Sequence, residues 1–183
     1  ESLLREVAGI EGVKRIRFTS PHPSEVRSRF VRLYAELPKL CPHIHLPLQS
    51  GSNRILRLMR RSYSRERFLG IAEELKKQCP NIGITTDLIV GFPTETKGEF
   101  EETLEVMREV RFCSAFSFKY SPRPHTTAQS HYRGEDLVSP EVAGQRLLCL
   151  QELQDELSLE FNSAFLGKTL EVLVEGQDKK ISS

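Results

Sequence analysis

The stretch Gly83–Val90, reading Gly-Ile-Thr-Thr-Asp-Leu-Ile-Val, constrains this chain more than any other segment. A nearly continuous run of Ile, Thr, Leu and Val is the mark of a strand covered on both faces, as in a parallel sheet with helices packed outside it. Three further segments have strand character: Val13–Thr19, His43–Leu48 and Ser114–Tyr120. The last places Phe116, Phe118 and Tyr120 on alternate positions, a pattern that suits a pleated surface.

Helical patterns fill the intervals. Ser24 is an N-cap candidate ahead of Val26, Phe30, Leu33, Tyr34 and Leu37. A short apolar stretch, Ile55–Met59, precedes a fuller helix capped near Ser64 and closed by Pro80, with Phe68, Ile71, Ala72 and Leu75 on one stripe. Thr96 and Glu99 have capping-box spacing before Phe100, Leu104, Met107 and Val110. Strand and helix thus alternate, which predicts parallel strands joined by right-handed crossovers and an α/β class. Beyond Tyr120, residues 121–134 read as a polar loop. A long helix follows, opened by Ser139-Pro140 and ended by Gly167, and Thr169–Val174 reads as a new strand. Four parallel strands leave two open edges, a liability that natural domains cover, and a closed eight-stranded barrel takes about 250 residues. A piece of a larger protein is therefore expected, with a partial (β/α) barrel over residues 1–134, a linking helix over 135–167 and a truncated β segment over 168–183.

Composition narrows the function. With 183 residues, 26 Lys+Arg against 25 Asp+Glu, and 38% hydrophobic content, the chain is a core-forming domain rather than a polycationic coat. No apolar run reaches the roughly 20 residues that span a bilayer, so no membrane partner is expected, and four dispersed cysteines read as reduced thiols predict a cytoplasmic location. Cys41, Cys79, Cys113 and Cys149 are too widely spaced for a zinc or iron–sulfur site, and the expected metal ligand set is none.

In parallel α/β folds, chemistry gathers at the C-terminal ends of the strands. Here those ends carry Thr19-Ser20-Pro21-His22-Pro23, Gln49-Ser50-Gly51-Ser52-Asn53, Gly91-Phe92-Pro93-Thr94-Glu95 and Tyr120-Ser121-Pro122-Arg123. Each string also has a plain structural reading as a turn or cap. His43 and His45 share one face of their strand, but no third ligand is near, so one interior and one structural histidine are expected. Asp87 inside an apolar run is costly unless hydrogen-bonded, which marks it for function. Arg54, Arg57, Arg60, Arg61, Arg65 and Arg67 crowd the segment after the second strand. They form either a solvated face or a phosphate-binding patch beside the mouth.

These strings closely resemble the radical-SAM methylthiotransferases. The likeness is carried by the string from His43 to Asn53 with Met59-Arg60-Arg61, and by Arg17-Phe18-Thr19-Ser20-Pro21-His22-Pro23. It continues in the string from Thr85 to Pro93, in Tyr120-Ser121-Pro122-Arg123-Pro124, and in Leu170–Gly176, which resembles the opening of an RNA-binding TRAM β-barrel. Within the family, the strings are most similar to the branch that methylthiolates N6-isopentenyladenosine next to the tRNA anticodon. Sister branches act on a ribosomal protein or on threonylcarbamoyl-adenosine.

The resemblance implies S-adenosylmethionine, 4Fe–4S clusters in the parent protein, tRNA as partner and a monomer. The match by itself assigns no roles; strand-end location within the matched strings puts Gln49, Ser50 and Gly91 on the S-adenosylmethionine face and His45, Asp87 and Tyr120 in the interior near the radical. Ser20, His22 and Arg123 would meet the substrate, with Arg57, Arg60 and Arg61 on RNA phosphates. The CxxxCxxC cluster loop of the family is absent from this sequence, so the chain alone is expected to be inactive. His125 and Thr94 stand where the family usually has glycine. Two rival readings remain: a non-catalytic RNA-binding module of the same fold, and a self-contained barrel enzyme built around His43 and His45.

Overall fold

The computed structural model describes residues 1–174 and 176. Its centre is a three-stranded parallel sheet in the order β1 (His43–His45), β2 (Gly83–Val90), β3 (Ser114–Lys119). Around it run α1 (Ser2–Gly9), α2 (Ser28–Val31), α3 (Leu33–Glu36), α4 (Asn53–Leu58), α5 (Arg65–Gln78), α6 (Lys97–Val110), α7 (Thr127–His131) and α8 (Pro140–Ser163). The α/β class expected from the alternation is the observed one. β2 pairs His43↔Gly83 on one side and Asp87↔Phe116 on the other.

Local signals carried through where they were strong. The Ser64 hydroxyl accepts from Arg67 N–H at the start of α5, and Thr96 with Glu99 forms the capping box of α6. Ser139 caps α8, with Pro140 at its first position. The apolar stripes of these helices then bury against the sheet: Phe68, Ile71 and Leu75 of α5, Leu104 and Met107 of α6, Leu150 and Leu157 of α8.

Several expectations need correction. β2 is covered on one face only: Ile84, Thr86, Leu88 and Val90 are buried, whereas Thr85, Asp87 and Ile89 are half-exposed. The Thr and Asp in the run are the reason, since they fall on the inward-facing positions. The segment 13–19 is not a strand but a single parallel bridge, Ile16↔Leu40. Pairing stops there because His43 N–H, which would extend it, donates to Cys41 O at 2.7 Å. Val26–Leu37 is not one helix but two short ones, α2 and α3. The loop after Tyr120 contains the short helix α7, and α8 ends at Ser163, four residues before Gly167. Thr169–Val174 forms no strand: Leu170, Val172, Leu173 and Val174 are exposed, with no strand among the described residues to pair with. Of the TRAM-like string, Glu175 lies outside the described residues.

One glycine shows how tightly the layers meet. A Cβ on Gly51 would lie 2.4 Å from Glu102 O and 2.5 Å from Thr103 Cα, both backbone atoms of α6. The loop after β1 therefore rests directly on that helix, and Gly51 N–H donates to Thr103 Oγ1 at 2.9 Å. Replacing Gly51 by Ala should destabilise the fold by about 1–3 kcal/mol through overpacking, read as a lower urea midpoint with an unchanged slope. A midpoint equal to wild type would show that the loop can lift off α6 freely.

Candidate active site

Backbone pairing on β2 continues past the regular strands and gathers their ends. Gln49 N–H donates to Asp87 O at 2.8 Å, Ile89 N–H to Gln49 O at 2.9 Å, and Tyr120 N–H to Val90 O at 2.8 Å. Gln49 takes a left-handed backbone, φ +69. The turn before it is held by Tyr63, whose hydroxyl donates to Pro47 O and Leu48 O at 2.9 and 3.0 Å. Burial pushes that phenol up to about 12, so it stays a donor.

Two adjoining regions result on the inner face. In the deeper one, His45 Nε2 is 3.3 Å from Asp87 Oδ2, and His45 Nδ1 is 3.0 Å from Thr85 Oγ1. His43 approaches the same threonine hydroxyl at 3.3 Å and meets Arg17 at 3.0 Å. Burial, with Arg17 adding to it, pushes His43 down, which favours the neutral ring. Ser20 and Phe116 line this hollow too. Both histidines thus face the interior. Asp87 is half-exposed there rather than sunk in the core, which answers the cost its strand position implied.

The second region is a cleft at the mouth. Its floor is Ile89 and Tyr120, with Gln49, Met59 and Phe92 on one side and Phe118 on the other. Phe92 meets Tyr120 edge-on at 5.0 Å. Arg60 and Arg61 stand at one end and Arg123 at the other. The arginine cluster divides in two. Arg54 binds Glu99 through both carboxylate oxygens at 2.7 and 2.8 Å and also Thr94 O at 2.7 Å, Arg65 pairs with Glu105, and Arg67 donates to Val26 O. Arg57, Arg60 and Arg61 make no ion pair or side-chain hydrogen bond with any described residue.

Of the residues singled out in the sequence, the structure brings Ser20, His45 and Asp87 into the hollow and Gln49, Tyr120, Arg60, Arg61 and Arg123 into the cleft. Ser50 stands apart: it is fully buried and its hydroxyl accepts from Ser52 N–H at 3.2 Å. Gly91 turns toward α8, where a Cβ would lie 2.8 Å from the Ala143 Cβ, and its N–H donates to Glu95. His22 caps a short 3₁₀ turn through Ser24 and packs on Tyr63, and Arg57 is exposed on α4. Ile89 was missed, although counting by two from Asp87 finds it. Thr126 and Ala128, which also wall the cleft, carry no such signal.

Two carboxylates fix the loops around the mouth. Glu99 is held down at about 2, first by Arg54 and then by the Thr96 backbone and hydroxyl. Glu95, only 1% exposed, pairs with Arg146 of α8 at 2.6 Å, and burial pushes it above the usual carboxylate range. Thr94, just before Glu95, has φ +64, as does His125 across the mouth. These are the two positions where glycine was expected, and a left-handed backbone explains that preference.

Among the described residues no three His, Cys, Asp or Glu side chains converge as a metal site, and the four cysteines are free and dispersed. A 4Fe–4S cluster therefore does not fit the residues present. The mouth cleft, with aromatic floor and the Gln49 amide, does suit an adenosyl group.

Comparison with known proteins gives one answer. The family model for the radical SAM superfamily matches residues 1–107. A curated relative from Mycobacterium marinum, tRNA-2-methylthio-N(6)-dimethylallyladenosine synthase 1, is 49% identical over 179 residues, covering 97% of this chain and 33% of the relative. The synthase of Thermobifida fusca is 51% identical, covering 97% and 36%. The chain thus spans about a third of the length of the curated relatives it matches. Coproporphyrinogen III oxidase from Escherichia coli, a radical SAM enzyme, shares the fold with a TM-score of 0.56 at 21% identity, covering 80% of this chain and 31% of that one.

The Arg54–Glu99 pair gives a pH test. Because the folded carboxyl sits below its unfolded value, its stabilisation is present above about pH 4.5 and is lost as pH falls toward about 2. Arg54→Met should cost about 1–3 kcal/mol at neutral pH, with the gap from wild type narrowing across that window. A pH-independent gap in chemical denaturation would show that Arg54 acts through packing alone.

Proposed function

The chain belongs to the radical SAM superfamily, and from that premise we propose that it is one segment of a tRNA-modifying methylthiotransferase acting at C2 of N6-dimethylallyl (isopentenyl) adenosine. The observation that carries this reading is the mouth cleft itself: an aromatic floor flanked by arginines that have no ionic partner among the described residues. A base stacks on Tyr120 and Phe118, and Arg57, Arg60, Arg61 and Arg123 meet the phosphates around it. The likeness to the two synthases supports the same substrate.

S-adenosylmethionine, when bound, supplies the radical precursor and the methyl group. Of this chain's residues, Gln49 offers an amide to the adenosyl group, while Ser50 and Gly91 act one step back by shaping the loops around it. His45 and Asp87 hold a polar pair beside the cleft, and Ile89, Phe92 and Tyr120 exclude water from it. The described residues supply no cluster ligands, so this segment taken alone is inactive, and the activity is that of the longer protein. Residues 1–134 serve as barrel and 135–167 as linking helix. No helix among the described residues is long and apolar enough to cross a membrane. A monomer working in the cytoplasm fits a tRNA substrate.

Binding of tRNA should weaken steeply with salt. Replacing Arg57, Arg60 and Arg61 together by Gln should lower the slope of log K against log salt by roughly two to three, at about one phosphate contact per arginine. Fluorescence anisotropy with labelled tRNA reads this directly. An unchanged affinity and slope would remove the three arginines from the RNA path.

A further inference from the structure

The segment joining β3 to α8 crosses the mouth, and its middle carries none of the motifs noted in the sequence. Yet Thr126 and Ala128 belong to both lobes of the cleft, as do Ile89 and Tyr120 below them. The lobes measure about 400 and 270 Å³. The first lies within the usual range of ligand sites on its own, and the second, which shares four lining residues with it, extends that space for an alkyl substituent.

The crossing segment is anchored at both ends. Thr126 Oγ1 donates to Arg123 O at 2.8 Å and accepts from Gln129 N–H at 3.3 Å, capping α7. After the helix, Tyr132 packs edge-on against Phe92 at 6.0 Å, and Thr94 N–H donates to Asp136 O at 2.7 Å. Left-handed residues, His125 and Gly134, turn the chain on either side. With its flanks fixed this way, a larger side chain at 128 cannot be accommodated by sliding the segment along the mouth.

Building on the functional reading above, we propose that Ala128 is a specificity-determining residue, whose small side chain keeps the two lobes joined so that an alkylated adenine nucleotide of RNA can lie across Ile89 and Tyr120. Lys119 and Arg123 stand at one end of the apolar floor and Arg60 and Arg61 at the other, which attracts the phosphates that flank such a nucleotide in RNA.

The test uses the full chain with two probes: an anticodon stem-loop with or without N6-dimethylallyladenine, and S-adenosylhomocysteine. Wild type should prefer the alkylated stem-loop. Ala128→Phe should abolish that preference, a loss of about tenfold or more in affinity, while binding the unmodified stem-loop as before; Ala128→Ser should keep it. Because Phe could impair folding, Ala128→Val provides a smaller step and should reduce the preference partially, at an unchanged melting temperature. If folded Phe and Val variants keep the wild-type preference, or lose only S-adenosylhomocysteine, the inference is overturned while the functional reading stands. A wild-type chain that binds neither stem-loop overturns both.

Discussion

Everything at the mouth hangs on the register of β2 between its two parallel neighbours. The same strand carries Asp87 and Ile89 on its inner face and, through backbone bonds at its end, holds Gln49 on one side and Tyr120 on the other. A slip of one residue would turn Asp87 under the helices and Leu88 into the hollow. Burying that carboxylate away from His45 would cost several kcal/mol, so the apolar outer face and the polar inner face enforce the same register. The site is in this sense a by-product of how the sheet buries its helices.

Electrostatics then divides the arginines by what the acidic groups can reach. Glu99 lies at the start of α6 with its carboxylate shared among Arg54, Thr96 and Ser52. It joins the loop after β1 to the loop after β2. Glu95 does the equivalent work toward α8 through Arg146 and the Gly91 N–H, and one of its oxygens has no hydrogen-bond partner among the described residues. Burial, with the nearby Glu99 charge adding to it, raises its proton affinity. With Arg54, Arg65 and Arg67 committed to the scaffold, Arg57, Arg60 and Arg61 are left without an ion pair among the described residues.

What could be read from the sequence followed from how local each signal is. The caps at Ser64, Thr96 and Ser139 depend on side chains three residues from the groups they satisfy, and all three formed as expected. The segment 13–19 looked equally strand-like, but a strand exists only where a neighbour offers free N–H and C=O groups, and here the neighbour's are used internally after one bridge. Gln49 and Ser50 are adjacent in the same string, yet one faces the cleft and the other is sealed beneath it. Which of the two does so depends on the close contact of Gly51 with α6, a fact of packing that no residue type announces. Ala128 was illegible for the same reason: an alanine becomes a wall only when Tyr120 and Phe92 are placed opposite it.

The most direct check of the sheet-centred account is a methyl NOE experiment on the chain with isotope-labelled isoleucines. Ile89 should show contacts to the Tyr120 ring and to the Ala128 methyl across the cleft, with none to the buried Leu104 of α6. Contacts from Ile89 to Leu104 in place of Tyr120 would mean that β2 runs in the opposite register, and the cleft described above would not exist.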